Sequence, residues 1–143
     1  HQYAAELVKQ IHDINKGNYL HEVIEGHEMG DFCIGVAGYP EKHMEAPSLQ
    51  SDLKRLKEKV DLGADYVVTQ MFFDNKKFFA FVEAARAMGI DVPIIPGLKP
   101  IAVKRHLQLL PQVFRVDIPQ ELIEAVEDCK SNQDVRKDGV EWC

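Results

Sequence analysis

Apolar positions along the chain alternate between a helical period and short unbroken runs, and most switches fall at a glycine or a capping residue. Leu7, Ile11 and Ile14 lie at i, i+4 and i+7 within Tyr3 to Ile14, which predicts a helix that Gly17 terminates. Periodicity is then lost from Lys16 to Gly30, where Asn18, Gly26 and Gly30 mark a long connection. Phe32 to Ala37 reads as a buried strand. Ser48 is placed to cap the next helix, whose Leu49, Leu53, Leu56 and Val60 recur at helical spacing before Gly63. Tyr66 to Phe73, apolar nearly throughout and rich in β-branched and aromatic residues, predicts a strand buried on both faces of a parallel sheet. Asp74 then caps a helix with Phe78, Phe81, Val82, Ala85 and Met88 as its packing stripe and Gly89 as its stop. Val92 to Gly97 gives a third strand, and further helices follow near Ala102 to Leu110 and Pro119 to Cys129.

This order predicts an α/β fold with parallel strands joined by helical crossovers. Three parallel strands expose both sheet edges and cannot close a barrel, so the expectation is one unit, residues 1–143, belonging to a larger fold. A chain that begins at His1 in the middle of a helical pattern leads to the same expectation.

Composition narrows the partners. The formal net charge of −6 is spread without a basic cluster, which argues against a nucleic-acid surface. No apolar stretch approaches the ~20 residues that a membrane span needs, so neither membrane nor nucleic acid is an expected partner. Cys33, Cys129 and Cys143 are odd in number and lack CxxC spacing, and Cys33 falls in the expected buried strand; reduced thiols and a cytoplasmic setting follow. The segment His21-Glu22-Val23-Ile24-Glu25 misses the HExxH spacing, because Glu25 stands where the second histidine belongs, and no metal site is expected.

Candidate chemistry gathers on the loop Ala37-Gly38-Tyr39-Pro40-Glu41-Lys42-His43-Met44, between a strand's C-terminal end and a helix. Parallel α/β folds place their active sites there. Tyr39 offers a flat amphipathic ring and His43 a hydrogen-bond donor; the alternative is a packed Tyr-Pro turn with a solvated histidine. Asp52, Arg55 and Lys59 share a helix face beside the leucine stripe, where a surface ladder of ion pairs is the alternative. Gln70 puts a primary amide inside an apolar strand, where it must be satisfied internally or reach a ligand.

The run VAGYPEKHMEAPSLQSDLKRLKEKVDLGADYVVTQMFFD, Val36 to Asp74, closely resembles the methylenetetrahydrofolate reductase family, and PGLKP at Pro96 to Pro100 is a second matching point. The resemblance implies a (β/α)8 TIM barrel of which this chain is a C-terminal portion, from the fourth helix to beyond the seventh strand. It implies a ping-pong reduction of 5,10-methylenetetrahydrofolate to 5-methyltetrahydrofolate by NADH or NADPH through bound FAD, in one-carbon metabolism and methionine biosynthesis. Ala37, Tyr39, His43, Asp52, Arg55 and Lys59 are carried over to FAD and Gln70 to the folate pterin, although Arg55 and Glu58 depart from the family's residues at their positions. Its catalytic carboxylates are expected upstream, so this chain alone should be inactive, and an oligomer of identical chains is expected. Two other readings stand beside it: a non-catalytic self-associating half-barrel, and a pterin-binding barrel enzyme without flavin.

Overall fold

Helices and parallel strands alternate in a computed structural model that describes residues 3–19 and 32–143. The order is α1 (Ala4–Asn15), β1 (Gly35–Gly38), α2 (Leu49–Asp61), β2 (Tyr66–Met71), α3 (Asn75–Ala87), β3 (Ile94–Gly97), α4 (His106–Phe114), α5 (Gln120–Asp128) and α6 (Asn132–Trp142). The strands form a parallel sheet in the order β1-β2-β3, with Gly35 opposite Tyr66 and Val67 opposite Ile94.

Local chemistry sets most helix ends. The Ser48 hydroxyl accepts from the Ser51 N–H at 3.1 Å, and the Ser51 hydroxyl accepts from the Ser48 N–H at 3.1 Å, a reciprocal cap for α2. Asp74 caps α3 through the Lys76 N–H at 2.9 Å. Gly63 and Gly89 follow α2 and α3 with φ of 113° and 78°, the left-handed region that an L side chain disfavours.

Packing corrects several sequence expectations. The strand expected from Phe32 begins at Gly35 instead. Asn15 substitutes for a strand neighbour at Phe32: its amide nitrogen donates to the Phe32 carbonyl at 2.8 Å, and its oxygen accepts the Phe32 N–H at 2.9 Å. Cys33 is consequently exposed rather than buried in a strand. In α1 the buried residue is Val8, with Ile11 packed beside it, while Leu7 faces outward. β2 ends at Met71 and is buried on one face only: Val67 is fully buried, whereas Val68 is 40% exposed. The helix expected from Ala102 starts at His106 and continues through Pro111 to Phe114. α6, which lacks a strong apolar stripe, was not a separate expectation.

Two apolar clusters result. In the first, Val8, Leu53, Leu56, Phe81 and Ala85 of the helices cover Val36 and Val67 of the sheet. The second joins Phe73 at the end of β2 to Ile101, Leu110, Leu122, Val126 and Val135. Trp142 secures α6 to this cluster, its Nε1–H donating to the Phe73 carbonyl at 2.9 Å. The opposite sheet face, with Ala37, Val68 and Ile95, is exposed.

Candidate functional site

β1 runs directly into the polar loop, and the loop folds on its own backbone. The Lys42 N–H donates to the Tyr39 carbonyl at 3.1 Å, with Lys42 at φ 86°. That left-handed conformation is unfavourable for a lysine. The Lys42 ammonium offsets it by donating to the His43 carbonyl at 3.1 Å and the Ala46 carbonyl at 2.6 Å.

α2 then clasps the loop from one side. Asp52, in the first turn, accepts the His43 N–H at 2.8 Å through Oδ2. Lys59, in the last turn, donates to the Ala37 carbonyl at 3.1 Å. The Tyr39 and His43 rings meet edge to face, centroids 4.7 Å apart and planes at 75°. Ala37, Tyr39, His43, Asp52 and Lys59 are thereby one connected group at the C-terminal end of β1. Arg55 is exposed and makes none of these contacts.

Burial dominates the electrostatics of the group. It raises the Tyr39 phenol above its ordinary value, and the Asp52 charge adds to that rise. Burial lowers the Lys59 ammonium, and the attraction of Asp52 offsets only part of the effect. Lys59 is thus a cation held where desolvation opposes its charge, a common property of ligand-binding lysines.

Over the exposed sheet face lies an open groove of about 370 Å³, lined by Gly35, Ala37, Tyr39, Tyr66, Val68 and Gln70 among others. Gly35 lets the Tyr66 ring lie close over β1; a Cβ at that position would oblige the end of the ring to shift. Gln70 reaches the groove from β2, its Oε1 accepting the Met71 N–H at 3.0 Å, so the glutamine amide and the Tyr39 ring line one space. A narrow crevice, too tight to admit a water molecule, joins Tyr39 and Ala37 to Asp52.

Glu41 has a role that its sequence position did not disclose. Its side chain is 9% exposed, and Oε1 pairs with the Lys77 ammonium at 2.9 Å while Oε2 accepts the Asp117 N–H at 2.8 Å. Lys77 also pairs with the Asp117 carboxylate at 2.5 Å. Burial pulls the Lys77 ammonium down, but the hydrogen bonds and charges of Asp117 and Glu41 outweigh it and leave Lys77 raised. The partners lie 36 and 76 residues from Glu41, beyond any local spacing signal. The metal-like segment His21 to Glu28 lies outside the described residues, and among the described residues no group of three side chains could hold a metal. Nor is any described helix long and apolar enough to cross a membrane.

The family model described as methylenetetrahydrofolate reductase matches residues 1–143. The chain belongs to the methylenetetrahydrofolate reductase family. It is 38% identical over 145 residues to a probable methylenetetrahydrofolate reductase (NADPH) of Caenorhabditis elegans, covering 100% of this chain and 20% of that protein. It is 44% identical over 115 residues to methylenetetrahydrofolate reductase (NADH) 1 of Arabidopsis thaliana, covering 74% of this chain and 19% of the relative. With the 5,10-methylenetetrahydrofolate reductase of Escherichia coli the identity is 39% over 110 residues, 77% of this chain and 37% of the bacterial enzyme. The chain therefore spans between about a fifth and two fifths of these family members. Among solved structures, a Clostridium thermocellum protein that binds two copies of 5-methyl-5,6,7,8-tetrahydrofolic acid shares the fold, with a TM-score of 0.58 and 22% identity over 78% of this chain and 38% of that one.

Proposed function

We propose that the protein to which these residues belong reduces 5,10-methylenetetrahydrofolate to 5-methyltetrahydrofolate with NADH or NADPH, through bound FAD. The observation that carries this reading is the shared groove of Tyr39 and Gln70, backed at its loop end by His43, Asp52 and Lys59. Family membership and curated relatives named as reductases support it. In this reading residues 1–143 are one unit of a (β/α)8 barrel, and the exposed sheet face belongs to the barrel interior. A cytoplasmic oligomer of identical chains is the corresponding whole.

The donor set fits a flavin dinucleotide. Lys59 spends one of three donors on the Ala37 carbonyl and keeps two for a diphosphate oxygen. Asp52 accepts one bond from His43 and retains capacity for a ribose hydroxyl. The His43 Nδ1 accepts the Glu45 N–H at 3.2 Å, which leaves Nε2 to donate to a ligand oxygen. Tyr39 and the small Ala37 supply the flat wall against which a ring system lies. Arg55 adds a more distant cation. When bound, FAD supplies the hydride-transfer chemistry between nicotinamide and folate. Gln70 offers one acceptor and two donors to a pterin edge, matching its fused amide and amine. Both Glu41 oxygens are engaged, by Lys77 and by the Asp117 N–H; the acid that opens the methylene bridge is assigned to a strand end outside these residues.

The test uses the full-length protein. Purified protein should show flavin absorbance, oxidise NADH or NADPH with menadione as acceptor, and reduce methylenetetrahydrofolate. Gln70→Leu should raise the KM for folate and leave the flavin spectrum intact. The isolated 143-residue chain should give no turnover. Full-length protein that binds folate but no flavin would overturn the assignment in favour of a pterin-binding barrel.

A further inference from the structure

The pairing of β2 with β3 slips by one residue next to Gln70. Val67 and Val68 face Ile94 and Ile95 in step, but Met71 faces Gly97, so three residues of β2 advance against two of β3. The additional residue lies at Thr69–Gln70, a β-bulge. Bulges adjoin active sites because they re-aim a side chain. Two features build this one. The Thr69 hydroxyl, buried beneath the sheet, accepts the Gly97 N–H at 3.0 Å, where a regular ladder would offer a main-chain carbonyl. Gly97 has no Cβ, and one there would overlap the Thr69 carbonyl oxygen.

We propose that Thr69 is a positioning residue for Gln70: its hydroxyl substitutes for a ladder acceptor, holds the bulge open, and so presents the Gln70 amide to the groove. With the bulge removed, Gln70 would fall opposite Gly97 and Met71 opposite Leu98. The Met71 N–H, now served by Gln70 Oε1, would return to the ladder and the amide would lose its anchor. Thr69 thus acts on folate recognition through Gln70, its own hydroxyl being engaged by the Gly97 N–H. The functional half of this inference rests on the reading of Gln70 given above.

The experiment compares Thr69→Val, Thr69→Ser and Thr69→Cys in the full-length enzyme by crystal structure, flavin content and steady-state kinetics. Valine keeps the volume and removes the acceptor; serine keeps the acceptor; cysteine supplies a poor one. Thr69→Val should retain flavin and flavin reduction by NADH, while the KM for methylenetetrahydrofolate rises about ten- to a hundredfold. Thr69→Ser should restore it to near the wild-type value, with Thr69→Cys between the two. In the Thr69→Val crystal Gln70 should face Gly97. The inference is overturned if Met71 still faces Gly97 with Gln70 in the groove, or if flavin and folate binding are lost in equal proportion. Should Thr69→Val fail to fold, wild-type kinetics and register in Thr69→Cys would overturn it instead. Unchanged folate kinetics in Gln70→Leu would defeat the functional reading of Gln70, whereas the strand register in the Thr69 variants decides the strut independently.

Discussion

Replacing Lys59 with methionine separates binding from stability, because the two respond to different parts of the lysine's surroundings. In the folded chain the ammonium makes one hydrogen bond, to the Ala37 carbonyl at 3.1 Å, and stands close enough to Asp52 to feel its charge. A bond from a charged donor contributes about 1.5–3 kcal/mol. Partial burial opposes that gain, and it outweighs the Asp52 attraction, since the pKa is lowered. Methionine keeps the packing of the stem, so the stability of Lys59→Met should stay within about 1 kcal/mol of wild type. On the FAD placement proposed for Lys59, affinity should have no such offset: loss of a charge-assisted bond to the diphosphate would cost about 1.5–3 kcal/mol, or roughly a ten- to a hundredfold rise in Kd. Flavin titration of apoprotein alongside urea denaturation measures both. The sign of the pH response is also fixed. With its folded pKa below the unfolded value of 10.5, Lys59 binds fewer protons folded than unfolded as pH rises through that interval, so wild type gains stability there. Lys59→Met lacks this gain. Unchanged FAD affinity would refute the placement of Lys59 beside the diphosphate, and a loss of more than about 3 kcal/mol of stability would show a structural lysine instead.

Glu41 and Lys77 should be coupled: a double-mutant cycle with Glu41→Gln and Lys77→Met is expected to give about 1–2 kcal/mol, below the cost of a fully buried pair because Asp117 remains beside Lys77. Lys77 has a raised folded pKa, so its contribution should be complete below pH 10.5 and fade as pH climbs through the folded pKa, which pH-dependent melting of Lys77→Met against wild type measures. Gly139→Ala in α6 should destabilise by about 3 kcal/mol in urea melts, although the same change in an open helix stabilises by about 1 kcal/mol; the added methyl would overlap the Ile101 carbonyl. Trp142→Phe should cost about 1–2 kcal/mol, with faster amide exchange across α6, because the Phe73 carbonyl loses its donor.

What was legible beforehand follows from the range of the forces involved. Ser48, Asp74, Gly63 and Gly89 act within one turn of chain, so the helix ends they set were visible in the sequence. The face shared by Asp52 and Lys59 was visible too, since helical spacing alone puts them side by side. Leu7 shows the limit of that logic: Ile11 of the periodic stripe does pack on the core, but α1 lies against α2 so that Val8 is buried and Leu7 is left exposed. Phe32 shows another, because an asparagine amide seventeen residues away took its backbone bonds.

The one-dimensional pattern therefore determined the alternation of helix and parallel strand, the polar loop at the end of β1, and the family likeness carried by Val36 to Asp74. Tertiary structure alone decided which face of β2 remained exposed, where the bulge beside Gln70 fell, and that Glu41 would be held by Lys77 and Asp117. Caps and periodicity are read from neighbouring residues; register, burial and long-range pairing depend on surfaces that meet only after the chain has folded.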